Sequence, residues 1–340
     1  MMPKEPYISV IILNYNGFGF LEPCIDSVLR SNYSNFEVIL VDNASWDESL
    51  SWAEAKAREN GRLRIIKSAK NLLFTGGNNL GIANAKGELI IILNNDTEVD
   101  PDWLREIVLV MADKNIGAAQ PKILVHKSSP LRIDYAGGDL DRYGYSQGRR
   151  RHQIEINIPD KIEEIFYAGG TAMILRSNIL KEVGLFDQKF GAHWEDVDLS
   201  WRIRLRGYRI VLIPKAVVYH KGSQSMSQFV SRHRVAWYVR KNRLAGLIKN
   251  YSILNLLIIL PILLLIYTLI FVKELVIDRK IKLAMSSFLA FIWNINELPY
   301  LLKERKFVQN RIRLIEDTNI IKLMKKKCLV LSSLKEALYL

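Results

Sequence analysis

The chain has 340 residues, 49% of them hydrophobic, which is enough for one large core and an additional segment. The two cysteines, Cys24 and Cys328, exclude a disulfide-stapled fold and a cysteine-based zinc site, and with no signal-peptide pattern at the N-terminus they favour the cytosol. The net charge is +13, and residues 226–340, with 20 basic and 7 acidic residues, carry all of it. This basic excess flanks the most apolar segments, so it favours an anionic membrane surface over a nucleic acid as partner.

The first 113 residues alternate between short apolar runs, typical of buried strands, and segments typical of helices. Strands are predicted at residues 7–13, 37–41, 63–67 and 89–93. Helices are predicted at about residues 20–31, 47–60, 76–85 and 101–113. This alternation predicts an α/β fold with a mostly parallel sheet covered by helices on both faces.

Polar side chains follow three of these predicted strands: Asn14 and Asn16 the first, Asp42 the second and Asp96 the fourth. One aspartate after a strand is often only the N-cap of the next helix. Three polar strand ends together indicate a ligand crevice, because open α/β sheets bind ligands beyond the carboxyl ends of their strands.

The middle of the chain is less regular. Glycines, charges and the run Arg149-Arg150-Arg151 predict a long, mobile loop over residues 126–160, with the arginines in solvent. Core segments follow at residues 166–175, 177–183 and 209–213, and His220 ends a last strand.

An acidic stretch at residues 194–202 is the strongest candidate for chemistry. Glu195, Asp196 and Asp198 open a predicted helix whose last turn is rich in arginine. A helix start with Asp198 paired to Arg202 explains the pattern as well as catalysis does. The helix N-terminus favours an ionised Asp196 at neutral pH.

The C-terminal part predicts membrane association. A basic amphipathic helix is expected over residues 226–250, hydrophobic helices over 251–302 and a basic tail over 303–340. A spanning hairpin would leave its basic loop outside, against the positive-inside tendency. An interfacial pair and buried soluble helices therefore remain open alternatives.

Six short motifs in this order resemble family 2 glycosyltransferases with the GT-A fold, most closely a rhamnosyltransferase-like branch. The resemblance covers residues 7–222 and implies a catalytic domain at residues 1–225. Its motifs lie at residues 10–16, 41–45, 76–79, 93–97 and 195–198 and at His220.

The resemblance also implies roles for individual residues. Residues 94–96 (Asn-Asn-Asp) stand where the family has Asp-x-Asp. Asp96 and His220 would hold Mn²⁺ or Mg²⁺, the imidazole favouring Mn²⁺. Asp196 would be the catalytic base, supported by Glu195. The implied substrate-binding residues are Asn14, Asn16, Asp42, Asn78, Asn94 and Asp198.

The activity implied is inverting transfer of a sugar, rhamnose being favoured, from a pyrimidine nucleotide sugar to a lipid-linked glycan acceptor in surface polysaccharide synthesis. Such a reaction needs a cation for the departing diphosphate and one base for the acceptor hydroxyl. The enzyme would act at the cytoplasmic face of the membrane, held there by residues 233–302. A polyprenyl-phosphate glycosyltransferase and a non-catalytic scaffold remain alternatives. A nicotinamide-dependent oxidoreductase is disfavoured, because this chain lacks the third glycine of the dinucleotide-binding fingerprint.

Overall fold

The computed structural model describes residues 5–157, 159–222, 231–327 and 329. Cys328, residues 226–230 of the predicted amphipathic helix and residues 330–340 of the predicted tail lie outside this part. The strands are β1 Ile8–Asn14, β2 Phe36–Asp42, β3 Leu63–Lys67, β4 Leu89–Asn94, β5 Thr97–Val99, β6 Ile116–Val125, β7 Ile133–Tyr135, β8 Gly138–Leu140, β9 Ser146–Gly148, β10 Glu163–Glu164, β11 Ala172–Arg176 and β12 Arg209–His220.

Helices alternate with the strands in the first part of the chain and follow one another at its end. They are α1 Phe18–Leu29, α2 Ser49–Glu59, α3 Leu73–Ala83, α4 Trp103–Met111, α5 Ser177–Val183, α6 Glu195–Leu205, α7 Arg232–Asn250, α8 Ile253–Val272, α9 Ile281–Asn296, α10 Leu298–Phe307 and α11 Asp317–Lys322.

One mixed sheet organises the molecule, in the order β10-β12-β6-β11-β4-β1-β2-β3, with β5 on β12 and β7 on β6. The strands β4, β1, β2 and β3 are parallel, as predicted, because each is reached through a helical crossover. The other part is more mixed than predicted: β11 runs antiparallel to both β4 and β6. The α/β fold is confirmed, with its parallel portion confined to the N-terminal strands and the β6–β12 pair.

The region at residues 126–160 is more ordered in structure than the predicted loop. It contributes β7 to the main sheet and forms the β8–β9 hairpin. The prediction of solvated arginines is wrong for two of them: Arg149 and Arg150 bind the Glu163 carboxylate at 3.1 and 2.6 Å. Glu163 offers them a carboxylate from the neighbouring strand β10.

The predicted basic amphipathic helix corresponds to α7, but its second half is a core element. Residues 241–250 are all buried, including Lys241, Arg243 and Lys249. Apolar side chains of this half share one hydrophobic cluster with the sheet and with α6. Packing therefore continues across the predicted boundary near residue 225, because the α/β region and α7 share a core.

The hydrophobic segment predicted at residues 251–302 forms α8, α9 and the start of α10. Within the described residues, one helix, Ile253–Ile277, is long and apolar enough to cross a membrane, by length and composition alone. Within α8 it buries only a narrow stripe of side chains, Leu256, Ile259, Leu263 and Tyr267. Its other apolar side chains are largely exposed.

Candidate active site

The carboxyl ends of β1, β2 and β4 lie side by side, as the polar strand ends predicted. In the sheet register Asn14 lies opposite Asp42, and Leu13 opposite Asn94. The Asn95 amide donates to Asn14 Oδ1 at 2.7 Å, which ties the end of β4 to the end of β1. Gly17 is required here, since a Cβ at this position would lie 2.1 Å from Asn95 Nδ2.

Asp42 and Asn16 present buried polar atoms at this edge. Asp42 accepts a 3.3 Å hydrogen bond from the Ser45 N–H through Oδ2, whereas its buried Oδ1 has no hydrogen-bond partner among the described residues. The Asn16 Nδ2 atom, also buried, lacks a partner in the same part of the chain. One acceptor and one donor are thus available to a ligand, as recognition of a nucleobase or ribose requires.

Asp96 and His220 lie together although 124 positions separate them in the chain. Strand β5 pairs with β12 so that Thr97 lies opposite His220, and His220 Nε2 is 3.4 Å from Asp96 Oδ1. The other ring nitrogen, Nδ1, lies 2.6 Å from Asp134 Oδ2. Burial alone would lower the pKa of His220, but the hydrogen bonds with Asp134 and Asp96 raise it to about 9.

This donor set fits a divalent cation that takes further ligands from a substrate. A carboxylate and an imidazole suit Mn²⁺ or Mg²⁺ when the cation replaces the proton on Nε2, and a carboxylate on the second ring nitrogen is the usual support of a metal-binding histidine. The described residues contain no cluster of three acidic, histidine or cysteine side chains able to hold a metal by themselves. Diphosphate oxygens would therefore have to complete the coordination.

Asp196 lies at the start of α6, beside the segment that leads into β11. Its carboxylate accepts hydrogen bonds from the backbone N–H groups of Gly170, at 3.1 Å, and Val197, at 2.8 Å. The side chain is half-buried, and burial raises its pKa to about 6 despite these donors. The helix N-terminus therefore does not hold the pKa low, as the sequence suggested, but Asp196 is still mostly ionised at neutral pH.

Glu195 is in a different state from its neighbour. It is buried, and its Oε2 has no hydrogen-bond partner among the described residues. Burial and the adjacent Asp196 raise the pKa of Glu195 well above its usual range. The environment therefore makes Glu195 harder to ionise than Asp196, a difference between neighbouring carboxyl groups that is typical of catalytic pairs.

Asp198 does not line the site, contrary to the prediction that it binds substrate. It is fully buried, and its carboxylate binds Arg202 at 3.0 Å, Lys249 at 3.2 Å and Asn250 at 2.9 Å. Burial would raise its pKa, but Lys249 and Arg202 lower it below the usual range. The pair with Arg202 was predicted; the two α7 partners were not.

Asn78 and Asn94, the other predicted substrate-binding residues, differ in position. Asn78 is completely buried within α3 and donates to the Phe74 carbonyl one turn earlier, at 2.9 Å. Its Oδ1 atom, also buried, has no hydrogen-bond partner among the described residues, so its role in substrate binding stays a prediction. Asn94 is half-buried at the end of β4, beside the crevice.

Sequence reasoning missed three contributors. Asp134 lies in the segment predicted as a loop, and Gly170 acts only through its backbone N–H. Asn242 lies in the helix assigned to the membrane, yet its amide nitrogen lies 3.0, 2.9 and 2.6 Å from the carbonyl oxygens of Phe190, Ala192 and His193. An asparagine in a helix with many basic residues was the only signal for it.

This strap at residues 190–194 leads directly into the acidic pair. His193 and Trp194 have φ values of +64° and +70°, a left-handed conformation that is strained for non-glycine residues. The contacts of Asn242 hold the strap in this conformation, and the conformation sets the direction in which α6 begins.

The sequence model of the family described as Glycosyl transferase family 2 matches residues 9–183. The match includes the crevice residues as far as Asp134 and Gly170, and ends before Asp196 and His220.

Two curated relatives show similarity over most of this chain. The O-antigen biosynthesis protein RfbC of Myxococcus xanthus is 28% identical over 65% of this chain and 18% of its own length. The low-salt glycan biosynthesis hexosyltransferase Agl10 of Haloferax volcanii is 22% identical over 70% of this chain and 75% of its own. The aligned region thus spans less than a fifth of RfbC but three quarters of Agl10.

A solved structure has the same fold. GalNAc-T7, crystallised with UDP, GalNAc and Mn²⁺, aligns with a TM-score of 0.58 and 20% identity over 72% of this chain and 48% of its own. At this identity the likeness supports the fold.

Proposed function

Because the chain belongs to glycosyl transferase family 2, we propose that it moves a sugar from a nucleotide sugar to a hydroxyl group of a glycan. One observation carries this proposal: a half-buried carboxylate with a raised pKa, Asp196, lies at the same sheet edge as Asp96 and His220. Asp196 contacts Gly170, and β11 begins two residues later beside the end of β4. Glycosyl transfer needs a base and a cation-binding site close together. Asp196 is suited to the first role, and Asp96 with His220 to the second.

The donor end of the proposed site comprises Asn14, Asn16, Asp42 and Asn94. Asp42 Oδ1 and Asn16 Nδ2, which have no hydrogen-bond partner in the part of the chain that the structure describes, would be the acceptor and donor for the nucleoside. Asp96 and His220 would hold Mn²⁺ or Mg²⁺, and Asp134 would fix the imidazole through Nδ1. When bound, the cation offsets the negative charge that develops on the leaving diphosphate. The Mn²⁺ and UDP in the GalNAc-T7 structure support this assignment.

At the acceptor end, Asp196 removes the proton from the attacking hydroxyl. Glu195, whose pKa is raised by burial and by Asp196, is less suited to act as a second base or nucleophile. With one ionised carboxylate, the expected displacement is direct and inverts the anomeric centre.

The acceptor we propose is a lipid-linked glycan at the cytoplasmic face of a membrane, with rhamnose as the favoured sugar. The exposed apolar surface of α8 supports a lipid environment, and the basic C-terminal part supports an anionic surface. The O-antigen and low-salt glycan names of the relatives support a role in surface polysaccharide synthesis.

The base assignment is tested by comparing Asp196→Asn with Glu195→Gln in single-turnover transfer. Asp196→Asn should slow transfer by roughly 10²–10⁴-fold and leave donor binding intact. Glu195→Gln should have little effect, because glutamine resembles the protonated carboxyl. Transfer by the wild type should fall as the pH drops through about 6, since protonated Asp196 accepts no proton. A dead Glu195→Gln beside an active Asp196→Asn would move the base to Glu195.

The metal assignment is tested by titrating nucleotide sugars with and without Mn²⁺ in a calorimeter. Asp96→Ala should remove the Mn²⁺-dependent part of donor affinity, and His220→Ala should reduce it less, because the imidazole adds no negative charge. Lys114→Ala, on the exposed surface, is the control. Equal Mn²⁺ dependence in the wild type and Asp96→Ala would refute the assignment.

A further inference from the structure

A basic cavity of about 510 Å³ lies where the start of α7 meets the connection between α8 and α9. Five of its lining residues are basic: Arg232, His233, Arg279, Lys280 and Lys282. In the part of the chain that the structure describes, no acidic side chain pairs with Arg232, Arg279 or Lys282. Lys280 lies 3.8 Å from Asp278, so the unpaired positive charge of the cavity, among the described residues, is that of the two arginines and of Lys282.

The wall of this cavity is held in place by Arg240 of α7. Its guanidinium binds the Glu274 carboxylate at 2.5 Å and the Leu283 carbonyl at 2.8 Å. It also donates to the hydroxyl groups of Ser286 and Ser287, at 2.9 and 2.6 Å. Since α7 is itself part of the core, these bonds fix the α8–α9 connection relative to the catalytic region.

Exposed apolar side chains adjoin the cavity. Ile281, one of the lining residues, is 62% exposed, and Ile277, just before the connection, is 73% exposed. Exposed apolar residues continue along both helices: Leu265, Leu269, Val272 and Val276 on one side of the connection, and Met285, Phe288 and Leu289 on the other. A basic cavity rimmed by exposed aliphatic groups has the chemistry that a phosphate joined to a hydrocarbon chain requires.

The cavity is also close to the acidic pair along α7. The Tyr238 ring lies beside His193, with ring centroids 6.4 Å apart, and His193 precedes Glu195 by two residues. Arg232 lies six residues before Tyr238 on the same helix, which corresponds to ~9 Å along its axis. A group bound at the start of α7 is therefore near the strap, which leads into the proposed base Asp196.

We propose that this cavity binds the diphosphate of the lipid-linked acceptor, with the lipid chain on the exposed side chains of α8 and α9. The inference rests on the proposed function and specifies where its acceptor is held. Arg232, Arg279 and Lys282 pair with the phosphate oxygens, and the sugar attached to the diphosphate extends along α7 toward Asp196. The cavity thus selects acceptors that carry a charged lipid anchor.

The test measures binding of the full chain to phosphatidylcholine vesicles that contain a few mole per cent of polyprenyl diphosphate. A second set contains phosphatidylglycerol at equal total charge. The cavity variant is Arg279→Gln with Lys282→Gln, and the matched control is Lys70→Gln with Lys114→Gln, which removes two exposed charges from the catalytic region. Donor binding is measured on the same preparations.

The wild type should bind polyprenyl diphosphate vesicles more tightly than phosphatidylglycerol vesicles. The cavity variant should lose about 10- to 100-fold of that affinity, the usual contribution of two basic residues beside anionic lipid headgroups, while the control stays close to the wild type. Equal binding to both vesicle types would identify a general anionic-lipid surface and overturn the acceptor site. Equal loss in the control, or no loss in the cavity variant, would overturn the cavity. Absence of nucleotide-sugar binding in the wild type would instead count against the proposed function.

Discussion

The helices α7 and α8 are consecutive in the chain and invert the usual relation between polarity and burial. Helix α7 is rich in basic residues, yet its second half, residues 241–250, is completely buried. Helix α8 is almost entirely apolar, yet Leu254, Leu257 and Ile258 are each more than 60% exposed. Charged side chains can be buried where the core supplies groups of opposite charge or hydrogen-bond acceptors. A large apolar surface that no other part of the chain covers is typical of a site that contacts a membrane or another protein.

The partners of α7 are specific. Lys249 binds Asp187 at 2.6 Å and Asp198 at 3.2 Å, and Lys241 donates to the Lys189 carbonyl at 2.8 Å. Burial lowers the pKa of Lys241 to about 7, so this amine is only partly protonated at neutral pH. The comparison of α7 with α8 leads to three predictions.

The largest effect is expected from Lys249→Met. It leaves Asp187 and Asp198 buried without their shared cation, which typically costs about 3–5 kcal/mol of unfolding free energy. Lys303→Met, on the exposed face of α10, removes the same charge and should cost little. Urea unfolding followed by circular dichroism compares them, and equal midpoints would mean that the buried half of α7 is not part of the core.

A smaller effect, on catalysis, is expected from Asn242→Ala. The strap carbonyls lose their amide donor, at a cost of about 1–3 kcal/mol, so the left-handed conformation at His193 and Trp194 is held less firmly. We expect kcat to fall about 10- to 100-fold with donor affinity unchanged, because Asn242 positions Asp196 without touching the donor site.

The control for this variant is Asn296→Ala, an exposed asparagine at the end of α9. A lower melting temperature with a normal kcat would show that Asn242 is only structural. The pH profile adds a readout: if the strap sets the environment of Asp196, the acid limb near pH 6 should shift in Asn242→Ala.

The smallest effect on folding is expected from Leu257→Ser with Ile258→Ser on α8. Both side chains are 64% exposed, so the unfolding free energy should change by less than about 0.5 kcal/mol. Vesicle binding should weaken at least ~10-fold, because each side chain contributes about 1.5–3 kcal/mol when transferred from water to an apolar medium. Marked destabilisation with unchanged vesicle binding would make α8 a core helix of a soluble protein.

The sequence by itself determined the N-terminal sheet and the crevice at its edge. The strands β1, β2 and β4 are mostly apolar runs. Asn14 and Asp42 end the first two and Asp96 follows the third two residues later, so local pattern places these residues together. The start of α6 and the pair between Asp198 and Arg202 were also predictable, because both depend on neighbours within one helical turn.

Only the tertiary structure decided what surrounds these residues. Asp134 supports His220 across 86 positions, and Asn242 reaches the strap across about 50. The pKa values of Glu195 and Asp196 follow from burial by distant segments, which opposes the effect of the helix N-terminus. From its composition α7 was predicted to lie at a membrane surface, because charged side chains normally favour water. In the structure Asp187 and Asp198 compensate the charge of Lys249 in the core. Such compensation depends on contacts between distant residues, which no local pattern records.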